Sequence, residues 1–509
     1  MTLKSLGIKE GNSVWSMLLG SGLLAMLAFT VAQQLTRDGG LTQAGNPLDG
    51  AWMLVQCAAV SAGLAVLLDW RLFLKSLVSL PVILLLALAA LTLASGSWSI
   101  VLEAEAQRYG LLILGYATVC LSAAVLASRF GPVPLIVLLV GISVASAAYG
   151  LWGFALERVP YAVESGGVLT PAGPFRYRNA LALTSAVALL PLIRGISIQG
   201  RSLPEVVVFL LSSICLGVCS LAVALSDSEF NLIFAILVLA AALIWPAGLL
   251  SRSRQQAIGA VVTVLLLGVA GNLLFRNFLP AGVPEDSTRL VVMVALVVVT
   301  PLIAWLSGLL AGGIPDRLAR LVPAIALGAG LLGVVFLIAG GAYLGSGGDL
   351  TQSRLTYYEV SVEAAKQNPL KGTGSGSYAS ATIGFQAAKL STTTRFAHSI
   401  PAEMWVELGI GGLLISVLLY LAAIRASWRA FRVPFAALLI PLVIGFLWNG
   451  LIDWNWHFAA ITALWAIGLG GLVGARLGNI SGGASPDEVS EPDTSVDPDP
   501  DQSEIPATG

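Results

Sequence analysis

One interval of this 509-residue chain gathers side chains able to move a proton and hold phosphate. It runs from about Asp349 to Gly412 and contains Arg354, Tyr357, Tyr358, the cluster Gly372-Thr-Gly-Ser-Gly376, His398, Glu403 and Glu407. His398 is one of two histidines in the chain, and imidazole is the side chain whose ordinary pKa lets it accept a proton near neutral pH. A solvated loop histidine, or one pinned to Glu403 or Glu407 for structure, reads the same way. Arg354, and Arg176 and Arg178 in AGPFRYRNALAL, carry planar guanidinium forks that stay charged and suit a diphosphate arriving from a bilayer. Interfacial snorkelling, or pairing with Glu157, Glu164 or Glu359, competes with that reading. Asp453, in Asp453-Trp-Asn-Trp-His457, is an acceptor for sugar hydroxyls, but its neighbouring tryptophans read first as an interfacial belt, as does Ser97-Trp98-Ser99. The glycine cluster is followed by no GK[ST], so it reads as a turn that lets backbone come close, not as a phosphate cradle. The only close acidic pairs in the short outer loops are Glu103 with Glu105 and Asp227 with Glu229, so neither a divalent metal nor another cofactor is expected.

The elements that must position these residues follow from composition. The chain is 57% hydrophobic and 11% charged, with mean hydropathy +0.87, far more apolar than soluble proteins. It reads as a polytopic membrane protein with no nucleic-acid footprint. Cys57, Cys120, Cys215 and Cys219 all lie in apolar runs and lack the partners a zinc site needs. Apolar windows near the length a helix needs to cross a bilayer fall at 14–34, 51–68, 77–95, 109–128, 133–155, 179–194, 205–225, 230–250, 257–275, 288–311, 321–343, 408–425, 434–452 and 457–475. The fold expected is all-α, a bundle of about 14 spans (12 to 14); 179–194, short and carrying Pro191, is the weakest. With the N-terminus cytoplasmic, alternate loops place fifteen basic residues inside and seven in the short outer loops, the bias that the positive-inside rule predicts. The domains expected are residues 1–343 with eleven spans, a large extracytoplasmic loop at 344–407, three spans at 408–478, and an acidic cytoplasmic tail at 479–509 too polar to bury a core. The first span has no small-residue cleavage site after it and reads as a retained signal anchor.

Inside the large loop, Leu355, Tyr358, Val362 and Ala365 recur at helical spacing after a start at Asp349, and Asn368-Pro369 stops them. A weakly amphipathic stretch surrounds Phe385 and Ala388. A further helix is expected to start near Ser399 to Pro401 and run into the next span.

These landmarks resemble the O-antigen ligase and polymerase family. The resemblance rests on Arg354-Leu-Thr-Tyr-Tyr, Asn368-Pro369-Leu-Lys-Gly372-Thr-Gly374-Ser-Gly376, His398-Ser, and Glu407-Leu-Gly409-Ile-Gly411-Gly412, with Trp98-Ser99 and Gly173-Pro-Phe-Arg-Tyr-Arg-Asn179 upstream. It implies a metal-independent membrane glycosyltransferase that moves a glycan from an undecaprenyl-diphosphate-linked donor to an acceptor hydroxyl on the outer face of the bacterial cytoplasmic membrane. The partners it implies are that donor, a glycan or other hydroxyl acceptor, and membrane lipid. Arg354 would hold the diphosphate, His398 would assist the acceptor or the donor phosphate, and Glu407 would orient them, with Arg176, Arg178, Tyr357 and Asp453 in the substrate-binding set. A polymerase, whose acceptor is another lipid-linked unit, ranks above a ligase. The chain departs from the family in having Ser399 where asparagine usually follows the histidine, and Ser228-Glu229 where relatives often show serine-arginine. A transporter or flippase of lipid-linked substrates is the reading from another class; it would place ionisable residues within the spans, and these spans are nearly free of them.

Overall fold

The computed structural model describes residues 13–36, 47–165, 168–197, 202–244, 254–279, 286–319, 321–322, 328, 349–390, 393–433 and 435–481. It is 84% helical. The helices are α1 (Val14–Leu35), α2 (Pro47–Leu77), α3 (Leu80–Ala94), α4 (Glu103–Phe130), α5 (Val133–Ala155), α6 (Arg178–Ile196), α7 (Leu203–Leu225), α8 (Glu229–Ile244), α9 (Arg254–Leu273), α10 (Asp286–Gly312), the one-turn α11 (Asp316–Ala319), α12 (Asp349–Gln367), α13 (Tyr378–Lys389), α14 (Ile400–Ala430), α15 (Ile440–Ile452) and α16 (Ala459–Ser481). Among the described residues, eleven helices are long and apolar enough to cross a membrane. The expected eighth and thirteenth spans are present as shorter apolar helices, Glu229–Leu243 and Ala436–Ile452, and nearly all of the expected eleventh, 321–343, lies outside the described residues. The expected cytoplasmic tail is outside them too from residue 482.

The window expected to be weakest is borne out as a full helix, α6, whose apolar stretch is 89% buried, so it lies at the centre of the bundle. Two local expectations are corrected. The interval at 69–76 is not a loop: α2 continues through it after a kink at Asp69, whose carboxylate accepts from the Leu72 N–H and so caps the second half. A small antiparallel hairpin, β1 (Ala162–Ser165) with β2 (Val168–Pro171), stands between α5 and α6, where no strand was expected.

α4, α6 and α16 are the most enclosed helices and form the axis of the bundle. Lipid tails are as apolar as leucine, so helices in a membrane associate by close packing, which small residues allow. Gly470, Gly474 and Gly478 recur every fourth residue on α16, and a Cβ at any of them would lie within 2.6 Å of a carbonyl oxygen of Cys120, Ala124 or Ser128 on α4. The Ser128 hydroxyl donates to the Gly474 carbonyl at 2.9 Å.

The large loop sits on one end of this bundle by backbone contact. α12 stops at Gln367, before Asn368-Pro369, as its sequence requires. The chain then descends: the Thr373 and Gly374 N–H groups donate to the Val406 and Glu407 carbonyls at 3.0 and 2.8 Å, and Ile100 N–H donates to the Thr373 carbonyl at 2.9 Å. Gly374 has φ +92°, and a Cβ there would lie 2.4 Å from Ser99 Cα; Gly372 and Gly409 are left-handed and similarly close to backbone. The cluster is thus a docking turn, with its amides already committed to protein. Trp98, expected in a belt, donates its indole N–H to the Lys371 carbonyl at 3.1 Å and fastens the same turn. α13 rests on α12 through the Tyr378 hydroxyl and Ser361 Oγ, 2.9 Å apart, and through Lys389 with Glu359 and Glu363 at 2.6 and 2.8 Å. Burial pushes the Tyr378 phenol up, and the bonds to Glu359 and Glu363 hold Lys389 above its ordinary value.

Gly374→Ala is expected to lower the melting temperature of the purified protein, with about 1–2 kcal/mol lost to the left-handed backbone alone. Gly384→Ala, in α13 with open space around it, is expected to be neutral or to stabilise by up to about 1 kcal/mol.

Candidate functional site

The polar side chains converge where α6, α8 and α15 end beneath the loop. α15 ends at Ile452, and the next residue, Asp453, turns a carboxylate that is 2% exposed into this junction. A buried charge must be surrounded by donors, and here the donors come from several elements. Tyr177, at the start of α6, places its hydroxyl 2.7 Å from both carboxylate oxygens. Asn179, in the first turn of α6, donates from Nδ2 at 2.8 Å, and the Trp454 N–H donates at 2.9 Å. Behind them runs a chain of amides. Asn231 on α8 donates to the Asn179 carbonyl at 3.0 Å and to Ser228 Oγ at 2.8 Å, Asn449 on α15 donates to Asn231 Oδ1, and Asn455 donates to Asn449 Oδ1 at 2.9 Å. The ends of three helices are locked together around one acid.

His398 comes to this acid from the loop. Its Nδ1 lies 3.4 Å from Asp453 Oδ1, and the imidazole is largely but not wholly covered, at 15% exposed. Tyr357 of α12 stacks on the ring, with centroids 4.8 Å apart and planes 11° apart. Tyr358, one residue on, donates its hydroxyl to the Leu451 carbonyl and so ties α12 to the end of α15. His398 itself has φ +52°, a left-handed conformation that surrounding structure must impose. The imposition is visible on both sides. Ser399 begins α14, and the preceding Ala397 N–H donates to Glu403 Oε2 at 3.2 Å. Glu403 Oε1 is 2.7 Å from Nε2 of the buried His457, whose ring stacks on Phe396 at 3.7 Å.

The expected site residues therefore separate. His398, Tyr357 and Asp453 come together. His398 is pinned to neither Glu403 nor Glu407, the two structural partners its sequence neighbourhood offered. Glu407, expected to orient substrate, is buried inside the docking turn, where it accepts from the Tyr378 N–H at 3.0 Å and from Ser375 Oγ at 3.3 Å. Its carboxylate holds the glycine turn to α14. Arg178 pairs with none of Glu157, Glu164 or Glu359: it reaches Asp227 at 3.1 Å, and Arg276, in the turn that follows α9, reaches the other oxygen of Asp227 at 2.7 Å. Glu157 instead holds the buried Arg289, and Glu359 holds Lys389. Arg176 occupies a left-handed cap immediately before α6. Arg354 lies in α12, three residues before Tyr357, and its side chain is outside the described residues. The belt reading fails at Asp453-Trp-Asn-Trp-His457, because Trp456 is buried against Tyr116 and Trp465, and Trp454 lies between Phe396 and Tyr177.

Tyr177, Asn179, Asn231, Asn449 and Arg276 carry much of this arrangement, and residue-by-residue reading of the sequence missed them. The signal was partial: Tyr177 and Asn179 sit within the run Gly173 to Asn179 that marked the resemblance, but nothing in their spacing points to an acid 274 residues away.

A bundle of membrane-length helices with a buried acid and an imidazole beneath a docked loop defines a polytopic membrane protein with a polar site at one end. Residues 237–417 match the family model described as O-antigen ligase, which supports an O-antigen ligase-like family and bears out the resemblance read from the motifs. No curated protein matches the chain significantly. The match and the apolar helices point to a bacterial membrane protein with glycosyltransferase activity of the O-antigen ligase or polymerase type, acting in polysaccharide biosynthesis.

Glu403→Ala leaves the buried His457 and the Ala397 N–H without their acceptor. It is expected to destabilise the protein by about 1–3 kcal/mol, read as a lowered melting temperature in detergent.

Proposed function

We propose that the protein transfers a glycan from an undecaprenyl-diphosphate-linked donor to an acceptor hydroxyl, with no metal, at the outer face of the cytoplasmic membrane. The observation that carries this reading is the pairing of His398 Nδ1 with the buried Asp453 at 3.4 Å. A carboxylate facing Nδ1 keeps the proton on that nitrogen and leaves the basic lone pair on Nε2. Nε2 then takes the proton of the acceptor hydroxyl as that oxygen attacks the anomeric carbon. The bond from that carbon to the diphosphate oxygen breaks, and the lipid diphosphate leaves with the electron pair. Tyr177 and Asn179 fix Asp453 so that the imidazole is held in one orientation, and Tyr357 supports its face.

The leaving diphosphate gains negative charge and needs fixed cations. In this reading Arg354 supplies one, since helical spacing puts it on the same face of α12 as Tyr357. Arg178 and Arg276 share the single acid Asp227, so two guanidinium groups stand together there. Asp227 lies beside Ser228, where relatives often show a serine-arginine pair; Arg178 or Arg176 would substitute for the arginine replaced by Glu229, with Arg276 joining Arg178 on Asp227. The acceptor is another lipid-linked unit in the polymerase reading; the ligase description of the matched family supports the alternative of a different acceptor. Donor lipid from cells lacking the protein separates the two: single repeats accumulate for a polymerase, long unattached chains for a ligase.

With purified protein in EDTA, His398→Ala is expected to lower the transfer rate about 10²- to 10⁴-fold, and Arg354→Ala is expected to remove most of it, at unchanged folding. Normal transfer by both variants would remove this site from the mechanism. Transfer by the wild type that EDTA abolishes would end the metal-free reading.

A further inference from the structure

The end of the bundle opposite the candidate site carries a cleft that the transfer chemistry does not use. It has a volume of about 370 Å³ and is formed where α2 runs into α3 and meets α14 and α16. Four cations line it: Lys75 from α2, Arg425 and Arg429 from α14, and Arg476 from α16. Arg425 and Arg429 are four residues apart and so share a helix face. Such crowding is unfavourable without a counter-anion, yet among the described residues no carboxylate forms an ion pair with any of the four. Ser79, which also lines the cleft just before the first turn of α3, has a buried hydroxyl oxygen with no hydrogen-bond partner. The rest of the wall is apolar, with Val78, Leu80, Pro81, Leu472 and Val473, and Val78 and Leu80 are 70% and 51% exposed on its flank.

We propose that this cleft binds the headgroup of an anionic phospholipid, its phosphate among Lys75, Arg425, Arg429 and Arg476 and its acyl chains along Val78 and Leu80. The generic excess of basic residues at one end of membrane proteins explains cations scattered over loops. It does not explain four of them, from three helices, turned into one half-apolar cleft. The rival anion is the chain's own acidic segment beyond α16, which carries eight carboxylates between Asp487 and Glu504. Its first four acids bring one aliphatic side chain, Val489, to match the apolar wall, so the lipid fits both halves of the cleft and the acidic segment fits one.

The test titrates full-length protein in neutral detergent with short-chain phosphatidylglycerol, and with phosphatidylcholine for comparison, reading bound lipid by native mass spectrometry. Wild type is expected to prefer phosphatidylglycerol. Arg429→Gln with Arg476→Gln is expected to weaken that binding about 25-fold, from roughly fivefold per basic residue near a lipid surface. Lys75→Gln alone, on an exposed side chain, is expected to weaken it about fivefold and serves if the double variant does not fold. Neutralising Asp487, Glu488, Glu491 and Asp493 to their amides is expected to change wild-type binding less than twofold. Equal binding by wild type and the arginine and lysine variants would overturn the proposal. So would a large gain in lipid binding on neutralising the acidic segment, because that segment would then be the resident anion.

Discussion

The carboxylate of Asp453 is the group around which this protein is arranged. It is buried at the end of α15, where an acid is costly unless donors surround it. Those donors come from Tyr177 just before α6, from Asn179 in its first turn and from the Trp454 backbone, with the imidazole of His398 on the remaining side. Satisfying that one acid fixes the relative positions of α6 and α15. Through the Asn179, Asn231 and Asn449 chain it also fixes α8. The same acid explains why a loop residue is held in a left-handed conformation, since His398 reaches Asp453 from that backbone geometry.

The loop can serve this acid because it is seated twice. At one side the glycine turn threads between Ser99, Glu105 and the start of α14, with Glu407 tying the turn to that helix. At the other, the Glu403–His457 pair and the Phe396 stack hold residues 396 to 398. Glu403 and Glu407 are therefore structural, and Asp453 faces the imidazole. Nearby acids take different roles according to what surrounds them, and sequence spacing alone does not separate them.

Much of the architecture was legible in the sequence. Helix length and hydropathy are local properties, so most of the spans, the stop at Asn368-Pro369 and the start of α14 near Ser399 were readable from composition and punctuation. His398, Tyr357 and Asp453 were legible as candidates because histidine and acids are rare in so apolar a chain. Their meeting was not, since Asp453 and Tyr177 are separated by 276 residues and only the packed bundle brings them together. The functions of Glu407 and of the tryptophans were misread for the same reason. Glu407 was read as orienting the site residues and the tryptophans as an interfacial belt, but the docked loop encloses both Glu407 and Trp456, which no local spacing reveals. The hairpin at 162–171 was too short to leave a periodic trace.

The coupling of His398 to Asp453 in glycan transfer is measured most directly by a double-mutant cycle with His398→Ala, Asp453→Asn and the pair, using one lipid-linked donor and one acceptor at matched folding. If the acid works through the imidazole, Asp453→Asn slows transfer strongly on its own and adds little once His398 is gone, because residues acting as a unit are non-additive. Losses that multiply in the double variant, or an Asp453→Asn protein that transfers at the wild-type rate, would contradict the account.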